Sequence, residues 1–476
     1  MLRQMQKIRI FVILLIAPLL VAACSDDDSF SASRSNLLSL ETDTVSMDTV
    51  FSKVPSSAKS FWVFNNSGDG LRISSVKLTK GNQTGFRVNV DGADMTDNGF
   101  VLTDLEVRKG DSIRVFVEVT TPENGIDDPQ LVEDDLVFTL ESGVQQKVNL
   151  RAWAWDAETI SNLTVTSDMT ISPGKPIIVY GGITVGEGAT LIIRGGTTLY
   201  FHSGAGITVN GTLKCYGSEG NFVTLRGDRL DRMFDNLPYD MVSGQWNGIT
   251  IGETSWDNEI LYTDVHSAMN GIVINDSTFS PYYKLTMTNS IVHNNQGYCL
   301  SSRNAAVTVL NCQITNALED CVYIQGGHVT INNTTMAQFY RFDSERGVAL
   351  RFSSKTDGPL YQLVVANSIV TGYADDQLMG DIDSIGGNYA FDHCILCTPE
   401  VSDSMLTNII FESPDSAVAQ EKNFVLIDED NYICDFRLDS LSKAVNGANT
   451  ATSSTIELTG RKRDELPDIG CYEFYK

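Results

Sequence analysis

Basic residues are scarce in this chain: 34 Lys plus Arg stand against 60 Asp plus Glu, for a formal net charge of −26. A surface that acidic repels nucleic acid and anionic headgroups, and it disfavours a polyanionic glycan unless a cation bridges the two. Histidine is rarer still: His202, His266, His293, His328 and His393 are the five present, and they show no zinc spacing. Strong helical periodicity is scarce, and there is no phosphate-cradling loop and no Ser/His/Asp motif. After the first residues no long apolar run occurs, so nothing later reads as a transmembrane helix. What the chain has in plenty is Gly, Asn, Thr, Ser and Val in short alternating runs. That composition predicts an all-β chain of two or three domains.

The apolar run that does exist is N-terminal. Arg3, Lys7 and Arg9 precede an unbroken stretch from Ile10 to Ala23, which ends in Val21-Ala22-Ala23-Cys24. This layout reads as a signal peptide over residues 1–23, too short to span a bilayer as a mature helix. Small residues fit a peptidase cleft, and a cysteine just after the cut can take diacylglycerol on its sulfur. The tetrad resembles a lipobox, and the resemblance implies lipidation of Cys24, so the membrane partner is reached through lipid. Ser25, Asp26, Asp27 and Asp28 follow at once. They are similar to the surface-export signal of Bacteroidota-type lipoproteins, which implies display on the outer face of the outer membrane; a solvated acidic linker is the plainer alternative. Residues 24–37 then read as an acidic, Ser-rich flexible tether. Loss of residues 1–23 removes three basic residues and no acid, leaving the mature chain more acidic still.

Eight cysteines remain after Cys24: Cys215, Cys299, Cys312, Cys321, Cys394, Cys397, Cys434 and Cys471. Their spacing lacks the regularity of a small disulfide framework. Cys394-Ile395-Leu396-Cys397 has redox or zinc spacing, yet it sits in an apolar β-like run with no second such pair. Filling a core as small hydrophobes is the expected role.

Residues 38–156 carry some seven short β-patterned runs separated by turn signals. Phe86-Arg87-Val88-Asn89-Val90 alternates cleanly, Leu71 to Leu78 alternates with one slip at Ser74-Ser75, and Lys109-Gly110-Asp111-Ser112 opens another alternating run to Val119. Alternation buries one face of each strand, and this number of strands at this spacing predicts a sandwich. Phe61 to Val76, Leu105 to Val119, Leu136 to Thr139 and Val148 to Ala152 resemble Hydin-type immunoglobulin-like domains of bacterial surface proteins, which act as spacers or adaptors.

Residues 157–400 repeat. Gly271-Ile-Val-Ile, Gly297-Tyr-Cys-Leu, Asp320-Cys-Val-Tyr and Gly347-Val-Ala-Leu open equivalent segments. Each is followed by a second element: Asn289-Ser290-Ile291-Val292, Asn311-Cys312-Gln313-Ile314, Asn333-Thr334-Thr335-Met336 and Asn367-Ser368-Ile369-Val370. Three short strands and three turns per coil fit the period. The expected inward columns are Ile272, Tyr298, Cys321, Val348 and Val292, Ile314, Met336, Val370. The asparagines are expected at a left-handed corner, bonding their equivalents one coil on, with Asp264 and Asp392 holding the same place in flanking turns. Gly211-Thr212-Leu213 and Gln245-Trp246-x-Gly248-Ile249 resemble right-handed parallel β-helix proteins of Bacteroidota-type surface lipoproteins. Residues 401–476 read as last coils and a C-terminal cap; Pro467-Asp468-Ile469-Gly470-Cys471-Tyr472-Glu473 resembles the closing module of choice-of-anchor β-helix proteins. The fold expectation is therefore all-β: an N-terminal immunoglobulin-like β-sandwich, then a right-handed parallel β-helix with a C-terminal cap.

Chemistry on the solenoid is harder to find. Asp375, Asp376, Asp381 and Asp383 are the candidates for an acidic site, but no Gly-His-Gly turn or Arg-x-Lys clamp accompanies them. Arg351, Lys355 and Asp357 one coil earlier allow a calcium-assisted arrangement; without it no cofactor or metal is implied. The loop from Arg226 to Ser243 alternates charge and reads as a salt-bridged cover, or else as a lip over a groove. Tyr282, Tyr283, Tyr340, Phe342 and Tyr361 are the candidates for sugar platforms, with clamping of loops as the plainer role. The preferred reading is a non-enzymatic surface lipoprotein for glycan binding, adhesion or scaffolding, whose partners are extracellular polysaccharide or other surface proteins. A polysaccharide lyase or glycosidase and a spacer without specific ligand are the alternatives.

Overall fold

A computed structural model describes residues 29–234, 236–412, 423–428 and 430–475. Cys24 and the export signal Ser25 to Asp28 lie outside them. The chain divides after Trp155 into two compact units. Among the described residues no helix is long and apolar enough to cross a membrane.

The first unit is a β-sandwich of two five-stranded sheets. One runs Ser39–Leu40, Lys59–Phe64, Ser112–Val119, Phe86–Val90, Ala93–Asp94; the other runs Thr44–Phe51, Gln145–Trp155, Gln130–Leu140, Leu71–Leu78, Val101–Val107. Pairing is antiparallel apart from Thr44–Phe51 on Gln145–Trp155. The alternation seen in sequence is the packing: Ile113, Val115, Val117 and Val119 point in, towards Phe86, Val88, Phe138 and Leu150 in one core. The slip at Ser74-Ser75 is a register shift against Gln130–Leu140, the extra residue bending the strand. Part of the expected tether is not free. Ser31 N–H donates to the Gly70 carbonyl and Gly70 N–H to that of Ser29, while Arg72 covers the Phe30 ring at 4.4 Å. Gly70 permits this, since a Cβ there would meet Phe30 at 2.8 Å. An apolar ring and free backbone groups outweigh the flexibility that Ser-rich composition implies.

The second unit is a parallel β-helix with three walls. The first wall stacks Ile207–Val209, Ile249–Ile251, Ile272–Asn275, Leu300–Arg303, Val322–Gln325, Leu350–Ser354 and Leu378–Ile382. The second holds strands such as Tyr283–Thr288 and Gly327–Asn332, and the third strands such as Thr263–His266, Ile291–Asn295 and Gln313–Ala317. Every pairing between coils is parallel and one coil long, which is why a column of like residues recurs. Val292, Ile314, Met336 and Val370 form one such inward column as expected, all fully buried. The other expected column is out of register. Ile272 lies beside Leu300, then Val322 and Leu350, so Tyr298, Cys321 and Val348 fall one or two residues early. Turns before the first wall differ in length, and aligning on their openings carries that difference into the strand. The cysteines do fill the core: seven of the eight thiols after Cys24 are buried, Cys434 is half-buried, and all eight are free.

Asn289, Asn311, Asn333 and Asn367 take φ between 46° and 52° at the corner of the second and third walls, as their residue type predicts. Register puts Tyr262 and His393, also left-handed, in the flanking corners; Asp264 and Asp392 belong to the adjoining strands. The asparagine side chains also differ from the expected ladder. Asn289 Nδ2 donates to the carbonyls of Glu457 and Leu458, Asn311 Nδ2 to Ser454 Oγ, Asn333 Nδ2 to Ser453 Oγ, and Asn367 Nδ2 to Thr452 Oγ1 as well as Asn332 Oδ1. A C-terminal strap thus runs back along this corner, against the direction of the coils. A corner needs its buried amides satisfied, and the strap supplies hydroxyls to three of them and backbone carbonyls to the fourth. The remainder of the C-terminal module, Phe424, Phe436, Leu438, Ala444 and Ile469, packs on outward residues of the third wall, Ala337, Ile369 and Ile395.

Candidate functional site

The third wall bears on its outer side a groove of about 510 Å³. Its floor is His293, Asn294, Gln313, Thr315 and Asn316 from adjacent coils. One side is the charged loop, through Arg232, Pro238 and Met241; the other is the hairpin of Phe424–Asp428 and Ile433–Leu438, through Tyr432, Cys434 and Phe436. The loop is both things its sequence allows. Its charges satisfy one another, Arg229 with Asp231 at 2.7 Å and Arg226 with Asp240 at 2.9 Å, and it is also the lip.

Two floor residues are under-satisfied. Asn294 and Asn316, both left-handed and 4% and 6% exposed, find for their Nδ2 groups only sulfur among the described residues: Met241 Sδ at 3.4 Å and Cys434 Sγ at 3.9 Å. Sulfur is a weak acceptor, so an oxygen-bearing ligand would gain here what the protein withholds. Arg341, which lines the continuation of the groove, donates through Nη1 to the Asp428 carbonyl. Phe342 stacks on Tyr432 at 5.5 Å beside it.

At the groove's edge stands a cluster of acids and histidines. Asp264 Oδ1 lies 2.9 Å from His266 Nδ1 and 3.2 Å from His293 Nε2; His266 Nε2 lies 2.7 Å from Asp240 Oδ1. Parallel register makes the cluster, since His266 and His293 are directly paired one coil apart, with rings 4.7 Å between centroids. The Gln245-Trp246-x-Gly248-Ile249 phrase holds it in place. Trp246, fully buried and stacked on Phe201 at 4.2 Å, donates its indole N–H to the His266 carbonyl. Gln245 Nε2 donates to the carbonyls of Tyr239 and Val242, pinning the turn that carries Asp240. Gly248 has φ 83°, and a Cβ there would run into the Asn270 carbonyl, which excludes any side chain. Burial alone would push the His266 imidazole down; the charge of Asp264 and the bond with Asp240 outweigh it and raise it to about 9. Burial would likewise raise Asp264, but the charges of His266 and His293 hold it well below the usual carboxylate range.

The residues singled out from sequence fall in several places. Tyr340 is buried, with its hydroxyl 2.8 Å from Ser243, so it clamps the loop; Phe342 is at the groove. Tyr282, Tyr283 and Tyr361 are exposed around loops elsewhere on the helix, Tyr282 near Trp256 and Tyr361 against Phe279. Asp381 and Asp383 meet on Lys355, at 2.6 and 3.0 Å. Asp376 receives the Leu378 N–H, and the Asp375 carbonyl faces Cys397. Arg351 forks onto Asp320, Lys355 is held by Asp381 and Asp383, and Asp357 pairs with Arg303, so both bases of the calcium-assisted arrangement and its acid are engaged with other side chains. Reasoning from sequence missed His293, Asp264 and Asp240 as partners of His266. The signal was present in the coil period, which makes a histidine one coil on a neighbour.

Parallel walls and register define a parallel β-helix joined to a β-sandwich. No family model matches the chain, and no curated protein matches it. Among solved structures, a pectate lyase described as Pel9A overlays on it at TM-score 0.30 with 14% identity, covering 67% of this chain and 97% of that one. At that score the likeness carries no argument, and the fold stands on its own strand pairings.

Proposed function

We propose that this chain is a lipoprotein anchored through Cys24 at the cell surface, with an immunoglobulin-like module preceding a β-helix that binds an extended glycan without cleaving it. The single observation that carries the binding reading is the groove floor, where Asn294 and Asn316 offer buried amide donors that, among the described residues, only sulfur meets. Sugar hydroxyls are both donors and acceptors, and suit amide, hydroxyl and imidazole groups on a parallel wall. The Phe342–Tyr432 stack adds an apolar face at the rim. One observation favours a polysaccharide-cleaving enzyme instead: the acid–histidine cluster at the edge of the same groove. The test is retention of residues 25–476 on a panel of polysaccharides, with new reducing or unsaturated ends scored in parallel. Retention without product is expected, and Asn294→Ala with Asn316→Ala should lower it at least tenfold. Product formation would move the function to the enzyme reading. Neither retention nor product across the panel would leave a spacer.

A further inference from the structure

We propose that Asp264, His266 and His293 form a binding site for one divalent first-row transition metal at the edge of the groove. One carboxylate and two imidazoles offer donor atoms that all lie within 4.8 Å of one another. The Asp264 oxygen stands 2.9 and 3.2 Å from the two histidine nitrogens. Donors bound about 2.0–2.1 Å from one tetrahedral ion stand about 3.3 Å apart, so these contacts, now at hydrogen-bonding separation, need open only slightly to admit one. Two imidazoles with one carboxylate suit zinc, cobalt, nickel or iron, whereas calcium and magnesium prefer oxygen throughout.

The surroundings carry the inference further than the three donors do. His266 turns Nδ1 towards Asp264 and Nε2 towards Asp240, and a metal-bound histidine commonly gives its second ring nitrogen to a carboxylate. Asp240 is in turn braced by Arg226 at 2.9 Å, and its backbone carbonyl accepts from Ser267 Oγ. The three donors come from two neighbouring strands of a stiff wall, and Trp246 holds the His266 backbone. His293 also lines the groove, so the site borders the space a ligand would fill. Three protein donors leave a position for water or a ligand oxygen. The site needs no assumption about the groove's occupant, and its failure would leave the glycan reading standing.

The test is titration of the full chain, first stripped of metal with EDTA, by Zn²⁺ and separately by Co²⁺, with Ca²⁺ and Mg²⁺ as comparison. Calorimetry should find one Zn²⁺ per chain, and Co²⁺ should give the visible absorption bands of a low-coordinate site. His293→Ala and Asp264→Asn should each weaken binding at least a hundredfold, and Asp240→Asn should weaken it about tenfold to a hundredfold by loosening His266. His293→Gln, which keeps a polar side chain of similar reach, checks the fold: it should match the parent in circular dichroism in EDTA and still lose the metal. The proposal is overturned if the parent binds no stoichiometric Zn²⁺ or Co²⁺, which would leave the cluster as a structural ion-pair knot. It is overturned equally if binding survives in all three metal-facing variants, which would place the ion elsewhere.

Discussion

In the sandwich the ion pairs sit in water: Arg72 with Glu106, Arg87 with Glu118, Lys147 with Asp135 and Lys53 with Glu123 all have at least one partner near half exposed. In the β-helix unit two pairs are inside. Arg463 and Glu473 are 1% and 0% exposed, and Lys284 and Asp276 0% and 4%. The difference follows from architecture. A sandwich closes by pressing two apolar faces together, so these pairs are left outside. A coil has its core within, and the C-terminal module strapped to its outer walls attaches through an apolar cluster and also through polar groups that become buried on docking. Such pairs are poor sources of net stability, because desolvation offsets their attraction, but breaking one strands a charge. In this molecule they fix where a strap or loop sits.

The largest break in that comparison is Glu473→Gln. Glu473 accepts from Arg463 and from the Asp464 and Asp468 N–H groups, and Arg463 also donates to the carbonyls of Ile456, Asp468, Gly470 and Tyr472. Removing the carboxylate charge leaves a buried guanidinium unpaired, an expected loss of about 3–5 kcal/mol. Limited proteolysis should then cut residues 449–475 first, with the sandwich still resistant. A variant whose strap stays protected, with unchanged melting, would mean that the pair is dispensable.

Acid should loosen the same strap by a smaller amount. Asp392 accepts from Thr407, Asn408 and Asn449, joining the last coils to the strap. Burial would raise this carboxyl, but those bonds and His393 beside it hold it down to about 2, against an ordinary value of 3.8. A folded value below the unfolded one means the contribution is complete above about pH 4 and is lost as pH falls through 2. Amide exchange at Asn408 and Asn449 is therefore expected to quicken over that interval, and Asp392→Asn should abolish the acid step. An identical acid profile in the variant would assign the loosening to other carboxylates.

These locks mark where sequence reading stops. Alternation in Ser112–Val119, the bulge at Ser74-Ser75 and the column of Val292, Ile314, Met336 and Val370 were legible, because each is a local pattern or repeats at the coil period. The asparagine corners were legible as backbone and illegible as partners. The strap that Asn289 holds is 168 residues away in the chain, and no period connects them. The groove needs a loop from one insertion and a hairpin beyond the last coil, so neither alone has a pattern. The acid–histidine cluster lies between. His266 and His293 share a column that the period predicts, whereas Asp240 arrives from the loop. Among the candidates, Tyr340 and Phe342 line the continuation of the groove, where Phe342 stacks on Tyr432 from the hairpin.

The smallest expected effect sharpens the contrast from the sandwich side. Arg72 and Glu106 are cross-strand neighbours 2.9 Å apart, and both are nearly half exposed. Arg72 also covers Phe30, so truncating it removes packing as well as charge. A double-mutant cycle over Arg72→Ala and Glu106→Ala isolates the pair, and its coupling should be about 0.2–1 kcal/mol, falling with added salt. Arg72→Ala alone should cost more than Glu106→Ala, and the excess should vanish in Phe30→Ala if the ring contact is its source. A coupling of several kcal/mol that salt does not weaken would mean that exposed pairs hold this sandwich as firmly as buried ones hold the strap, and the division between the two units would fail.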